Sequence, residues 1–225
     1  MGIFLSILHY MKLTNLGLLL AIVCFASCSS GNKKVLVLVN GGSTVDEASK
    51  TITSANGSGS ETKELKFTGS DKTTLQLKAD GKQTAIDIPT NGYYFLNATN
   101  DTVVGSYVTF SAPKSMNDTF GVIKQDVYKK SIDSLTELIA GKNISAANRN
   151  YFIPPHTAVK VTDNVDAIIV APFHQMTTVE KEEGKEPEVY RFYTADEIRV
   201  KIEKQREFTK PKPAAGDAKD GGKKK

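Results

Sequence analysis

Leu75-Gln76-Leu77-Lys78-Ala79-Asp80-Gly81-Lys82-Gln83-Thr84-Ala85-Ile86-Asp87-Ile88 is the stretch from which the fold is read. Leu75, Leu77 and Ala79 alternate with Gln76 and Lys78, the two-residue period of a strand with one buried face. Asp80-Gly81 then supplies two residues that tolerate positive φ, as a two-residue hairpin loop demands. Ile86 and Ile88 mark the returning strand. The pattern extends both ways. Upstream, Leu65 and Phe67 alternate with polar neighbours. Downstream, residues 89–92 turn the chain, and residues 93–98 and 102–110 read as two more strands joined at Asn100-Asp101. Strand centres about ten residues apart match an antiparallel β-sandwich or meander. Earlier, Val35-Leu36-Val37-Leu38-Val39 is an unbroken apolar run closed by Asn40-Gly41-Gly42, so it reads as a strand buried on both faces. Residues 54–61, rich in Ser and Gly, read as a flexible loop.

Residues 111–118 look like a linker, and beyond them the period changes. Tyr128, Ile132, Leu135 and Ile139 share one helical face, with Asp118 or Thr119 as the N-cap and Gly141 at the C′ position. Residues 143–150 are polar and suit a loop or a short helix. Ile153-Pro154-Pro155 forces extended chain. Residues 158–162, 166–171 and 189–193 read as strands. Thr194-Ala195-Asp196-Glu197 is a capping box, and Ile198 and Ile202 face inward from the helix that it opens. From Lys210 the Pro, Gly, Ala and Lys content predicts a disordered tail. The expected fold class is α+β. An antiparallel β-sandwich-like domain spans residues 35–112, a smaller α+β domain spans 113–209, and a Lys-rich tail follows over 210–225.

The N-terminus carries a second kind of information. Lys12 is followed by an apolar block over residues 16–25, then Ala26, Ser27 and Cys28. The block has signal-peptide length and falls short of the ~20 apolar residues that span a bilayer. Small residues leading directly to a Cys resemble the lipobox of bacterial lipoproteins. The resemblance implies that residues 1–27 are a signal peptide, removed together with Cys24. It also implies that Cys28 takes a diacylglyceryl group on its thiol and a further acyl chain, such as palmitate, on its new amino group. Met11-Lys12 has the normal order of a signal start, so Met11 is the expected first residue. The competing reading is an uncleaved membrane helix over residues 3–25, with His9, Lys12 and Asn15 inside it.

Residues 28–34 form a polar lipidated tether. By the sorting rules of such lipoproteins, Ser29 permits the outer membrane, and Gly31-Asn32-Lys33-Lys34 lacks the acidic residues that favour surface display. The expected location is the bacterial cell envelope, on the outer membrane and facing the periplasm. Gly92-Tyr93-Tyr94-Phe95-Leu96-Asn97 and residues 101–107 resemble uncharacterised Bacteroidota lipoproteins over residues 11–112, which carries no activity with it. Asp101-Thr102-Val103 and Asp133-Ser134-Leu135 resemble the O-glycosylation motif of that group's envelope proteins, making Thr102 and Ser134 candidate sites.

Charge sharpens the partner classes. The tail over residues 210–225 holds six Lys against two Asp, whereas residues 28–209 hold 22 basic and 23 acidic groups. The basic balance therefore belongs to the tail and predicts no nucleic-acid partner. That tail suits anionic envelope polymers. Its last Lys resembles that of the small murein lipoprotein, which is linked to peptidoglycan. After processing, Cys28 is the remaining Cys, which excludes an internal disulfide and a Cys-based metal site.

Chemistry-bearing patterns are sparse. His156 and His174 lie near expected strand ends, and a metal site there would need Asp163 or Asp166 besides. Glu180, Glu182, Glu183, Glu186 and Glu188, with Lys181 and Lys185, read as a solvated loop. Tyr93, Phe95 and Tyr107 are the candidate ligand platform, with Tyr94 beside them, although alternation sends part of any strand inward. No nucleophile elbow or phosphate loop is present, and neither a cofactor nor a metal is expected. The leading expectation is a non-enzymatic lipoprotein presenting a module that binds an envelope protein, a glycan or peptidoglycan. The alternatives are a small envelope hydrolase using His156 and His174, or a peptidoglycan tether through the tail.

Overall fold

The computed structural model describes residues 32–69, 71–108, 125–145, 147–175 and 187–209. Cys28, the expected linker and N-cap, residues 180–186 and the tail lie outside them. The described chain is mostly β, with two helices. Its strands are β1 (Asn32–Gly41), β2 (Thr44–Asp46), β3 (Thr51–Thr53), β4 (Gly57–Thr68), β5 (Thr73–Ala79), β6 (Lys82–Ile88), β7 (Gly92–Asn97) and β8 (Val103–Tyr107). After helix α1 (Gln125–Ile139) come β9 (Asn150–Ile153), β10 (Thr157–Thr162), β11 (Ile168–Val170), β12 (Val189–Thr194) and helix α2 (Ala195–Thr209). Among the described residues no helix is long and apolar enough to cross a membrane.

Two compact units share the chain. One contains the residues up to Thr99 and His156–Ala167; the other contains Asn100–Pro155 and the residues from Ile168 onward. This division departs from the expected break at residue 112. Strand β8 pairs with β9 and β12 in the second unit, while β10 pairs with β7 in the first. Backbone pairing between segments distant in the chain, such as Ser106 with Asn150 and Thr157 with Asn97, overrides adjacency in sequence.

The first unit has two four-stranded sheets, ordered β10-β7-β1-β4 and β2-β3-β5-β6. Both are mixed where antiparallel pairing was expected: β1 runs parallel to β7, and β3 parallel to β5. One buried cluster draws on both. Val35, Val37 and Val39 of β1, Leu65 of β4 and Leu96 of β7 join Ile52 of β3, Leu75 and Leu77 of β5, and Ile86 and Ile88 of β6. Each such side chain contributes about 1.5–3 kcal/mol on burial. The hairpin closes as read, with Ala79 opposite Lys82 and φ of 49° at Asp80 and 72° at Gly81. Those angles suit a type I′ turn, whose twist matches the flanking strands. The expected loop over 54–61 is corrected in part, because β4 starts at Gly57 and pairs with the far end of β1. Lys33 locks the other end of β1. Its side chain is buried, and Nζ donates to the carbonyls of Gly69 and Asp71, both at 2.8 Å.

The second unit is a four-stranded sheet, ordered β11-β12-β8-β9, with both helices on one face. Val104, Leu138, Ile198 and Ile202 form the buried centre, flanked by Ile132, Leu135, Ile139, Phe152 and Tyr193. Three of the four residues expected on the inner face of α1 thus line this core; the fourth, Tyr128, stacks on Phe208 of α2 at 5.6 Å. Gly141 ends α1 as expected. Its N–H donates to Leu138 O and that of Lys142 to Glu137 O, the paired bonds of a Schellman cap. Residues 147–149 are turns rather than a helix.

Gly105 of β8 lies directly opposite Phe192 of β12. A Cβ on Gly105 would sit 2.3 Å from the Phe192 ring, which is wholly buried. The ring occupies the space a side chain would need, the usual reason for a Gly inside a strand. Gly105→Ala is expected to cost about 1–3 kcal/mol through overpacking, read as a lowered urea midpoint with an unchanged slope.

Candidate functional site

Thr194 ends β12 and opens α2. Its Oγ1 accepts from the Glu197 N–H at 3.1 Å, while Glu197 Oε2 accepts from the Thr194 N–H at 2.9 Å. This is the reciprocal box expected from the sequence. The other carboxylate oxygen has a use that spacing did not reveal: Oε1 accepts from the Phe173 N–H at 2.9 Å. One carboxylate therefore fastens the start of α2 to the turn that follows β11.

Phe173 sits in that turn with φ of 63° and 63% of its surface exposed. Left-handed backbone is an outlier for a bulky residue and persists where surrounding bonds impose it. Here the Glu197 bond and the burial of Ala171 and Pro172 hold the turn, and the ring is presented to solvent. Beside it lies an open groove of about 550 Å³, lined by Phe173, Tyr193, Val200, Lys201 and Lys204 among others. Two cations flank Tyr193, with Arg191 Cζ 4.9 Å and Lys201 Nζ 5.0 Å from the ring centroid. These are cation–π distances. Arg191 Nη2 also donates to His174 O at 3.4 Å, while its buried Nε has no hydrogen-bond partner. Asp196 is committed to Arg199. Among the described residues no carboxylate pairs with Lys201 or Lys204. The groove thus combines exposed apolar surface with the two lysines and three carboxylates, Glu197 held by backbone amides, Asp196 by Arg199, and Asp101 beside them.

The sequence-derived platform takes a different form. Phe95 is wholly buried and Tyr93 is 3% exposed, because β7 lies between β1 and β10. Tyr107 belongs to the other unit, where its ring edge meets Tyr190 at 5.6 Å and Arg149 Cζ lies 4.5 Å from its centroid. Tyr190 also meets Tyr151 edge to face at 5.8 Å. Neither Tyr93 nor Phe95 offers a free ring face. Of the candidate glycosylation sites, Ser134 is exposed on α1, and Thr102 is half-buried, its carbonyl accepting from the Ala195 N–H at 3.0 Å.

The histidines fall in different units. His156 is half-buried with φ of 59° and a buried Nε2 that lacks a partner; His174 is exposed, with Nδ1 2.9 Å from Pro172 O. Asp163 pairs with Lys160, and Asp166 is exposed. Among the described residues no three His, Cys, Asp or Glu side chains are grouped to hold a metal.

Tyr93 has a structural role in the first unit. Its hydroxyl donates to Glu64 Oε2 at 2.9 Å, and Lys34 Nζ pairs with the same oxygen at 3.0 Å. Burial and the Glu64 charge push the Tyr93 hydroxyl far above its ordinary range. For Glu64, burial acts upward, but the bonds from Lys34 and Tyr93 outweigh it and hold the carboxyl below its ordinary 4.5.

Compared with known proteins, the chain matches no family profile, no curated protein and no solved structure.

Two outcomes follow from this geometry. Glu197→Ala removes the acceptor for both amides; it is expected to cost about 1 kcal/mol and to speed hydrogen exchange at Phe173 as well as at Thr194. A carboxyl with a lowered folded pKa stabilises above its unfolded pKa and loses that contribution as pH falls through the folded value. Tyr93→Phe should therefore destabilise by about 1 kcal/mol near neutrality. That difference should shrink once the pH falls below the ordinary 4.5 of Glu64, as checked by paired urea titrations.

Proposed function

We propose that the chain is a non-enzymatic envelope lipoprotein, anchored by acyl chains on Cys28 to the outer membrane and facing the periplasm. The observation that carries this reading is the apolar block over residues 16–25 ending in Ala26-Ser27-Cys28. Acylation at that Cys is a strong anchor, since each buried methylene contributes about 0.8 kcal/mol and several chains act together. Strand β1 begins at Asn32, so a tether of a few residues would hold the first unit close to the bilayer. We read that unit, whose two sheets share one buried cluster, as a β-sandwich. The second unit supplies the binding module, through the groove at the start of α2 that Phe173, Tyr193, Lys201 and Lys204 line together with Asp101, Asp196 and Glu197.

The test is an intact mass of the protein purified from its own envelope. The expected value is that of a chain beginning at Cys28 plus diacylglyceryl and one further acyl group. Further mass mapping to Thr102 or Ser134 would show a glycan, and to the tail a peptidoglycan fragment. The mass of an unprocessed chain, from Met1 or Met11, would overturn the reading.

A further inference from the structure

Seen along α2, Glu197, Val200, Lys201, Lys204 and Phe208 recur at helical spacing on one face, about a third of a turn round from the buried Ile198 and Ile202. Val200 is 55% and Phe208 66% exposed, and both flank the lysines, which pair with no carboxylate among the described residues. Phe173, 63% exposed, extends the face beyond the start of the helix and shares the groove with Val200, Lys201 and Lys204. Val127, 57% exposed and next to Tyr128, extends it at the other end, where Tyr128 stacks on Phe208. Three carboxylates line the same groove: Glu197 is taken up by two backbone amides, Asp196 pairs with Arg199, and Asp101 lies beside them. On the neighbouring flank Asp196 pairs with Arg199 and Glu203 with Arg206, and Glu207 adds one further negative charge.

We propose that this face lies on a membrane, with Phe173, Val200 and Phe208 entering the headgroup region and Lys201 and Lys204 meeting anionic lipid phosphates. Large apolar side chains projecting among lysines fit an interfacial surface. Charge complementarity favours an anionic bilayer, because the sequence after Thr209 adds six Lys against two Asp. The backbone at Phe173 is held left-handed by Glu197, so the ring is already displayed before any contact is made. The inference rests on the anchored reading for its membrane; the chemistry of the face stands apart from it.

The chain has no Trp, so Phe173→Trp and, separately, Phe208→Trp each provide a single fluorescent reporter. The native lipidated protein is reconstituted into phosphatidylcholine vesicles with or without phosphatidylglycerol, using acyl-brominated lipid as the quencher. With phosphatidylglycerol both reporters should shift to the blue and be quenched. Neutralising either lysine, in Lys201→Gln or Lys204→Gln, should lower the docked-to-free ratio about fivefold, and high salt should act in the same direction. Each variant must retain the parent's circular dichroism and thermal midpoint to count. Emission that stays at the solvent-exposed wavelength in both vesicle types overturns the proposal, as does equal quenching with and without the anionic lipid. So does a shift that appears only with delipidated envelope protein, which would make the occupant a polypeptide. If the intact mass shows no acyl group, the anchor fails by itself. The reporters, added on the unlipidated chain to preformed vesicles, then judge the face alone.

Discussion

Val35 to Val39 are buried in an unbroken row, and that burial is the constraint from which the first unit is built. A strand with apolar side chains on both faces needs cover on each side and partners at both edges. β4 and β7 supply the edges, one antiparallel and one parallel. The three valines face the cluster shared with the second sheet. The parallel pairing with β7 requires a crossover, and the second sheet of this unit lies within that crossover.

In the second unit Glu197 has a comparable organising role at smaller scale. Its carboxylate closes the capping box and holds the turn at Phe173. The helix face and the exposed ring are thereby fixed with respect to each other. A residue that would serve stability alone in an ordinary cap also decides where an aromatic side chain is shown to solvent.

The local patterns of the fold were legible. Alternation around Asp80-Gly81, the apolar face of α1 and the Thr194–Glu197 box each depend on neighbours within a few residues. What escaped reading depends on distant partners. Strands β2 and β3 are short and polar, and they form because β3 pairs with β5. The start of β4 looks like a Ser- and Gly-rich loop until β1 lies beside it. Strands β8 and β10 change units through pairings that leave no periodic trace. The aromatic run over residues 93–95 reads as a platform only while the flanking strands are unknown. For the site, the capping box was visible and its second use was not. Val200, Lys201 and Lys204 at helical spacing were the available signal; the exposure of Phe173 was not encoded in any local pattern.

The position of β1 also has a mechanical meaning. On the proposed anchoring, any pull between membrane and protein reaches the fold at Asn32. The load then runs along a strand bonded on both sides, so a pull along its axis stresses the rungs of two ladders together rather than opening them in turn. The Lys33 ammonium, bonded to Gly69 and Asp71, is the first point to bear it. An edge strand in the same place would peel; this one acts as a shear clamp at the point where the tether enters.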